Sequence, residues 1–164
     1  MSKVLMISTD AKILEEGSAV RARMQEYGKL FDELHIIVFS KQDSKSKVQN
    51  SKISDNTFIY PTSCSRLSSV MRAIRIGEGI VSGSGWIITT QDPFETGIVG
   101  RSLSKRFGIP LNVQIHTDFL NPNFTKGSAL NALRQVFARM TLPQAASVRV
   151  VSKRIKDSLM RDRR

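Results

Sequence analysis

Residues able to do chemistry collect at four places, each directly after a short apolar run. They are Thr9-Asp10, Thr90-Gln91-Asp92-Pro93, His116-Thr117-Asp118 and Ser152. A neutral imidazole at His116 could donate to a hydroxyl or a carbonyl. Any one of these clusters also fits ordinary loop chemistry: Asp92-Pro93 is a common helix entrance and Ser152 a helix cap. Their convergence says more than each alone. A fifth candidate is Gly17-Ser18, at the entry to a helical stretch. A glycine there lets backbone N–H groups approach an anion, and a helix N-terminus favours negative charge. A simple turn is the other reading of a lone Gly-Ser.

The common catalytic signatures are missing. There is no G-x-G-x-x-G after the first apolar run, no P-loop and no G-x-S-x-G. Gly83-Ser84-Gly85 precedes its apolar run, the wrong side for phosphate binding, and reads as a turn. The histidines, His35 and His116, lack metal-ligand spacing, and the one cysteine, Cys64, excludes an internal disulfide and a cysteine-based metal cluster. No metal site is expected. His35 lies within an apolar run and reads as structural.

The elements that must position these residues follow from hydropathy. Short apolar runs at Lys3 to Ser8, Leu34 to Phe39, Thr57 to Tyr60, Trp86 to Thr90, Leu111 to Ile115 and Val148 to Val151 read as strands. Between them lie helical periods. Ser18 caps one that holds Val20, Met24, Tyr27 and Leu30-Phe31. A second holds Leu67, Val70-Met71, Ile74 and Ile80-Val81. A third holds Ile98-Val99, Leu103 and Phe107 and stops at Gly108, with Pro110 beyond. Leu130, Leu133, Val136-Phe137 and Met140 mark an amphipathic fourth, and Ile155 and Leu159 a closing fifth. Lys41 to Asn56, rich in Ser and Lys, reads as a surface loop. Strands apolar on both faces, alternating with helices, predict α/β architecture: a doubly wound, mostly parallel sheet of about six strands in a Rossmann-like three-layer sandwich. In such a sheet, ligands bind outside the carboxyl ends of the strands, where the polar clusters fall. His116 and Gly17 are then expected at the same edge.

The 164 residues make one domain, 40% apolar and 24% charged, an ordinary globular balance. No run is long enough to cross a bilayer, and the N-terminal residues read as a strand rather than a signal peptide. A single cysteine fits a reducing, cytoplasmic setting. The net charge of +11 calls for an acidic partner: nucleic acid, an anionic membrane face or a phosphorylated ligand. Nucleic acid is disfavoured, because the basic closing segment from Lys153 to Arg164 has no interleaved aromatics and no recognition motif occurs.

Three stretches resemble family 4 (group 1) glycosyltransferases. They are Ile88 to Gly97 (Ile-Thr-Thr-Gln-Asp-Pro-Phe-Glu-Thr-Gly), Gly108 to Phe119, and the closing Ala146 to Ser152. Glu16-Gly17-Ser18-Ala19-Val20-Arg21 stands where that family has a Gly-Gly loop, with one glycine replaced. The resemblance spans nearly the whole chain and implies the N-terminal, acceptor-side half of a two-domain GT-B enzyme. The donor-binding C-terminal domain and its paired-glutamate motif are absent from this sequence.

The resemblance implies retaining sugar transfer from a nucleotide sugar to a glycan, lipid or other acceptor, with no metal and no cofactor beyond that co-substrate. It implies His116 as the catalytic contact to the reacting sugar, Gly17 and Ser18 as contacts to the donor diphosphate, and Asp10, Asp92 and Asp118 as contacts to acceptor or sugar. An isolated half is expected to be inactive. Ile155, Leu159 and Met160 are expected to lose cover, favouring self-association, and the basic charge allows peripheral contact with the inner face of a membrane. A different class of reading is a non-catalytic basic α/β module that binds an acidic partner such as nucleic acid or an anionic membrane.

Overall fold

A computed structural model describes residues 2–41 and 51–162. Its strands are β1 (Lys3–Ser8), β2 (Glu33–Val38), β3 (Ser51–Ser54), β4 (Thr57–Pro61), β5 (Trp86–Thr90), β6 (Leu111–Ile115) and β7 (Ser147–Val150). Its α-helices are α1 (Ala19–Gly28), α2 (Arg66–Ile80), α3 (Glu95–Phe107), α4 (Pro122–Thr125), α5 (Ala129–Thr141) and α6 (Lys153–Asp162). The helix boundaries have local causes. The Ser18 hydroxyl accepts from the Arg21 N–H, capping α1, and Gly108 ends α3 in the left-handed region at φ 66°.

The strands form one sheet in the order β3-β4-β2-β1-β5-β6-β7. Every pairing is parallel except the β3–β4 hairpin. The chain winds from β1 outward through β2 and β4, then returns across α2 to β5 on the other side of β1. The crevice between the β1 and β5 exit loops is therefore the topological switch point of a doubly wound α/β sheet.

Two differences from the sequence reading have clear causes. Residues 51–54, read as loop, form β3; the rest of that loop expectation lies mostly outside the described residues. Serine and lysine have low strand preference, but Ile53 packs against the core cluster that includes Met24 and Ile59, and Asn56 Nδ2 donates to the Gly28 and Phe31 carbonyls at 2.8 and 2.9 Å. Tertiary contacts overrule propensity here.

The second difference is the uneven cover of the sheet. One face packs Leu5, Ile7, Ile37, Ile88, Leu111, Val113 and Ile115 under α2, α3, α5 and α6. The other packs Val4, Met6, Leu34, Ile36 and Val38 under α1. Toward β5, β6 and β7 that second face turns polar. Thr89 Oγ1 donates to Asn112 Oδ1 at 3.2 Å, Asn112 Nδ2 to Ser147 Oγ at 2.7 Å, and Gln114 Nε2 to Thr89 Oγ1 at 3.3 Å. The expectation of strands apolar on both faces holds for β1 and β2, not here.

Candidate functional site

The exit loops of β1 and β5 are tied together by one side chain. Gln91 Oε1 accepts from Ser8 Oγ at 2.8 Å and from the Thr9 N–H at 3.2 Å, while the Gln91 N–H donates to the Ile7 carbonyl. Ser8 Oγ in turn accepts from the Asp10 N–H at 3.0 Å. These bonds fix the backbone at Asp10 and Asp92 on either side of the switch point. A cavity of about 460 Å³ opens above it, lined by Thr9, Asp10, Gln91, Asp92, His116 and Thr117, with Arg23, Phe39, Phe94, Glu95 and Arg134 completing the wall. A second hollow, which shares Thr9 and Phe39, extends past Ser40 to Cys64 and Ser69.

Asp92 begins an Asx turn: its Oδ1 accepts from the Phe94 N–H at 2.8 Å. Thr90 and Thr96 hydroxyls both donate to its carbonyl at 3.1 Å, locking the entrance to α3. Burial pushes the Asp92 carboxyl above its ordinary range, against the lowering effect of the Phe94 and Thr96 hydrogen bonds; the Glu95 charge adds to the rise. Asp10 is half-buried and accepts from the Lys12 N–H at 3.1 Å. His116 is exposed at the rim, with Nε2 3.3 Å from Gln114 Oε1.

Glu95 and Arg134 form the best-shielded ion pair at the cavity. Arg134 Nε donates to both carboxylate oxygens at 3.0 and 3.1 Å, and Nη2 donates to Oε1 at 2.9 Å. Their side chains are 11% and 21% exposed. The carboxylate sits in the first turn of α3, where the helix dipole favours it. The guanidinium carbon lies 5.8 Å from the Phe94 ring centroid, and Phe94 stacks on Phe124 and meets Phe119 edge-on. Aromatic packing and the ion pair thus hold α5 against the start of α3.

Of the residues singled out from the sequence, the fold brings Asp10, Asp92 and His116 to the cavity wall. Gly17 and Ser18 follow the same strand edge through a short 3₁₀ turn but do not line the cavity. Gly17 takes φ 76°, and the Ser18 hydroxyl is engaged locally, donating to the Lys12 carbonyl at 2.6 Å. Asp118 turns away from the cavity. Its carboxylate accepts from Ser158 Oγ at 3.3 Å and lies 3.7 Å from Arg154 Nε, anchoring α6. His35 is structural: Nδ1 lies 2.9 Å from Tyr60 Oη and Nε2 3.0 Å from Glu33 Oε2, between the Phe58, Tyr60 and Trp86 rings.

Sequence reading missed both cavity arginines. Arg23 belongs to the exposed side of α1. Arg134 lies four residues before the buried Ala138 and seven before the buried Thr141, so its place on the packed flank of α5 was a readable signal. The cover expected to be lost at the closing helix also differs. Ile155 is only 4% exposed, within the core, because α6 lies against β7; Leu159 is half-buried and Met160 is 57% exposed. Among the described residues no helix is long and apolar enough to cross a membrane, and no group of three or more His, Cys, Asp or Glu could hold a metal ion.

The fold defines a Rossmann-like α/β domain with a cleft at the switch point. A UDP-GlcNAc 2-epimerase from Methanocaldococcus jannaschii has a similar structure, with a TM-score of 0.61 and 12% sequence identity. The match covers 99% of this chain and 42% of that one, so this chain spans less than half the length of its structural neighbour. At that identity the likeness is one of fold, that of a GT-B-like half. No family model and no curated protein matches the sequence.

Proposed function

We propose that this chain is the acceptor-side domain of a retaining glycosyltransferase of the family 4 type, which transfers a sugar from a nucleotide sugar to an acceptor. The observation that carries the reading is the convergence of Asp10, Asp92 and His116 on one cavity at the switch point, beside Arg23 and Arg134. The structural likeness to an enzyme named for a nucleotide sugar supports the same substrate class.

Glycosyl transfer passes through an oxocarbenium-like sugar. In the two-domain enzyme a diphosphate leaves from the donor, held by the other domain. The N-terminus of α1 at Gly17 and Ser18 then meets that diphosphate, with Arg23 adding positive charge beside it. His116, exposed at the rim, bonds a hydroxyl of the transferred sugar. Asp10 and Asp92 orient acceptor hydroxyls. Asp118, engaged with α6, acts by holding the loop after β6 rather than by touching the acceptor. The reaction takes place between two domains, so one domain alone stabilises only part of the transition state.

The test is a backbone amide NMR titration of this chain with UDP-, GDP- and ADP-sugars, run beside a turnover assay. The expected result is saturable shifts at Gly17, Ser18 and His116, the residues assigned to the donor, with no appreciable transfer. Robust transfer by this chain alone would contradict the half-site reading. Silence at those three residues with every nucleotide sugar at millimolar concentration would remove the substrate class. In the two-domain enzyme, His116→Ala should lower kcat more than it raises the acceptor KM.

A further inference from the structure

The amphipathic pattern of α5 is correct as a helix and reversed in direction. Leu130, Leu133, Val136 and Met140 keep 44%, 46%, 51% and 44% of their surface exposed, while the buried residues of this helix are Ala138 and Thr141. At the α-helical repeat the four apolar residues span an arc of roughly 120°, and Ala138 and Thr141 fall outside it. The reason lies in α3: a Cβ at Gly97 would stand 3.0 Å from Thr141 Cγ2, so the two helices approach too closely for large side chains. Leu130, Leu133, Val136 and Met140 are left facing outward, with Phe137 half-buried among them.

The stretch of chain that carries this face has no acidic residue of its own. Residues 119–156 contain no Asp or Glu and seven Lys or Arg. Arg134 is taken up by Glu95, but Lys126 just before α5 and Arg139 on it are exposed. We infer that α5 is a docking face for an anionic lipid surface, its apolar arc seated at the boundary between headgroups and acyl chains and its flanking cations among the headgroups.

Charge selects this occupant. A second copy of the chain seated on the same face would set two strongly basic surfaces together. A nucleic acid would satisfy the charge but not the arc, which offers aliphatic side chains where stacking aromatics are needed. A bilayer surface of anionic lipid satisfies both. The helix is already folded against α3, so docking orders no new backbone. The inference stands apart from the proposed sugar chemistry, although α5 also carries Arg134 and would set the cavity beside the bilayer.

Vesicle co-sedimentation tests it, with phosphatidylglycerol–phosphatidylcholine vesicles against phosphatidylcholine alone. The expected result is binding to the anionic vesicles that weakens with added salt and falls by at least about tenfold in L133E/V136E. Lys126→Ala and Arg139→Ala should each weaken it by about fivefold. Both apolar positions are about half exposed, so the double variant should keep its circular dichroism and melting temperature. If it does not fold, K126A/R139A carries the test. Equal binding to neutral vesicles, no vesicle binding, or unchanged binding by a folded L133E/V136E would overturn the inference. So would a dimer in sedimentation equilibrium that L133E/V136E abolishes, or RNA binding without vesicle binding.

Discussion

Arg134→Met separates the role of the cavity ion pair from that of the surrounding packing. Glu95 is 8% exposed and its carboxylate accepts three N–H···O contacts from Arg134 within 3.1 Å. Methionine keeps most of the stem that covers Phe94 but leaves the carboxylate without its cation. Breaking a buried pair from one side costs about 3–5 kcal/mol. Arg134 is itself 21% exposed at the cavity mouth, where water can reach the pair, so about 2–4 kcal/mol is the expected loss.

The partner variant E95Q/R134M removes both charges and should recover most of that loss, because an uncharged pair has no ion to desolvate. Urea unfolding of the wild type, both single variants and the double variant closes the cycle, and a coupling energy above about 1.5 kcal/mol is expected. An R134M variant within about 0.5 kcal/mol of wild type, or a coupling energy below about 0.5 kcal/mol, would refute the reasoning.

Two further outcomes are expected. A Cβ at Gly100 would stand 2.5 Å from Thr90 Cγ2 and 2.8 Å from Leu111 Cδ1, so Gly100→Ala should overpack the α3–sheet contact by about 1–3 kcal/mol and lower Tm by about 3–10 °C in calorimetry. Asp92 has its carboxyl raised in the folded state, so its charge opposes folding above the unfolded value and the opposition vanishes in acid. Asp92→Asn keeps an acceptor for the Phe94 N–H and should unfold at higher denaturant than wild type at neutral pH, with the two curves converging near pH 3; a gap that persists there would count against burial as the cause.

The local elements were legible because their signals are local. The apolar runs at Lys3 to Ser8, Trp86 to Thr90 and Leu111 to Ile115 are strands within a residue, and Gly108 ends its helix as its lack of a Cβ allows. Strand–helix alternation then implied parallel pairing. It placed the residues after β1, β5 and β6 at one edge, which is why Asp10, Asp92 and His116 share a cavity.

What the tertiary structure alone decided depends on partners distant in sequence. Ser51–Ser54 become a strand through β4 and Ile53, against their own propensity. Asp118 turns to Ser158 and away from the cleft, forty residues along the chain. Glu95 and Arg134, thirty-nine apart, meet only when α5 lies on α3. The same contact chose the buried side of α5. Periodicity reports that a helix has an apolar side, but which side is buried depends on the surface it meets. At the close approach of Gly97, that surface admits Ala138 and Thr141 and leaves Leu133 and Val136 outside.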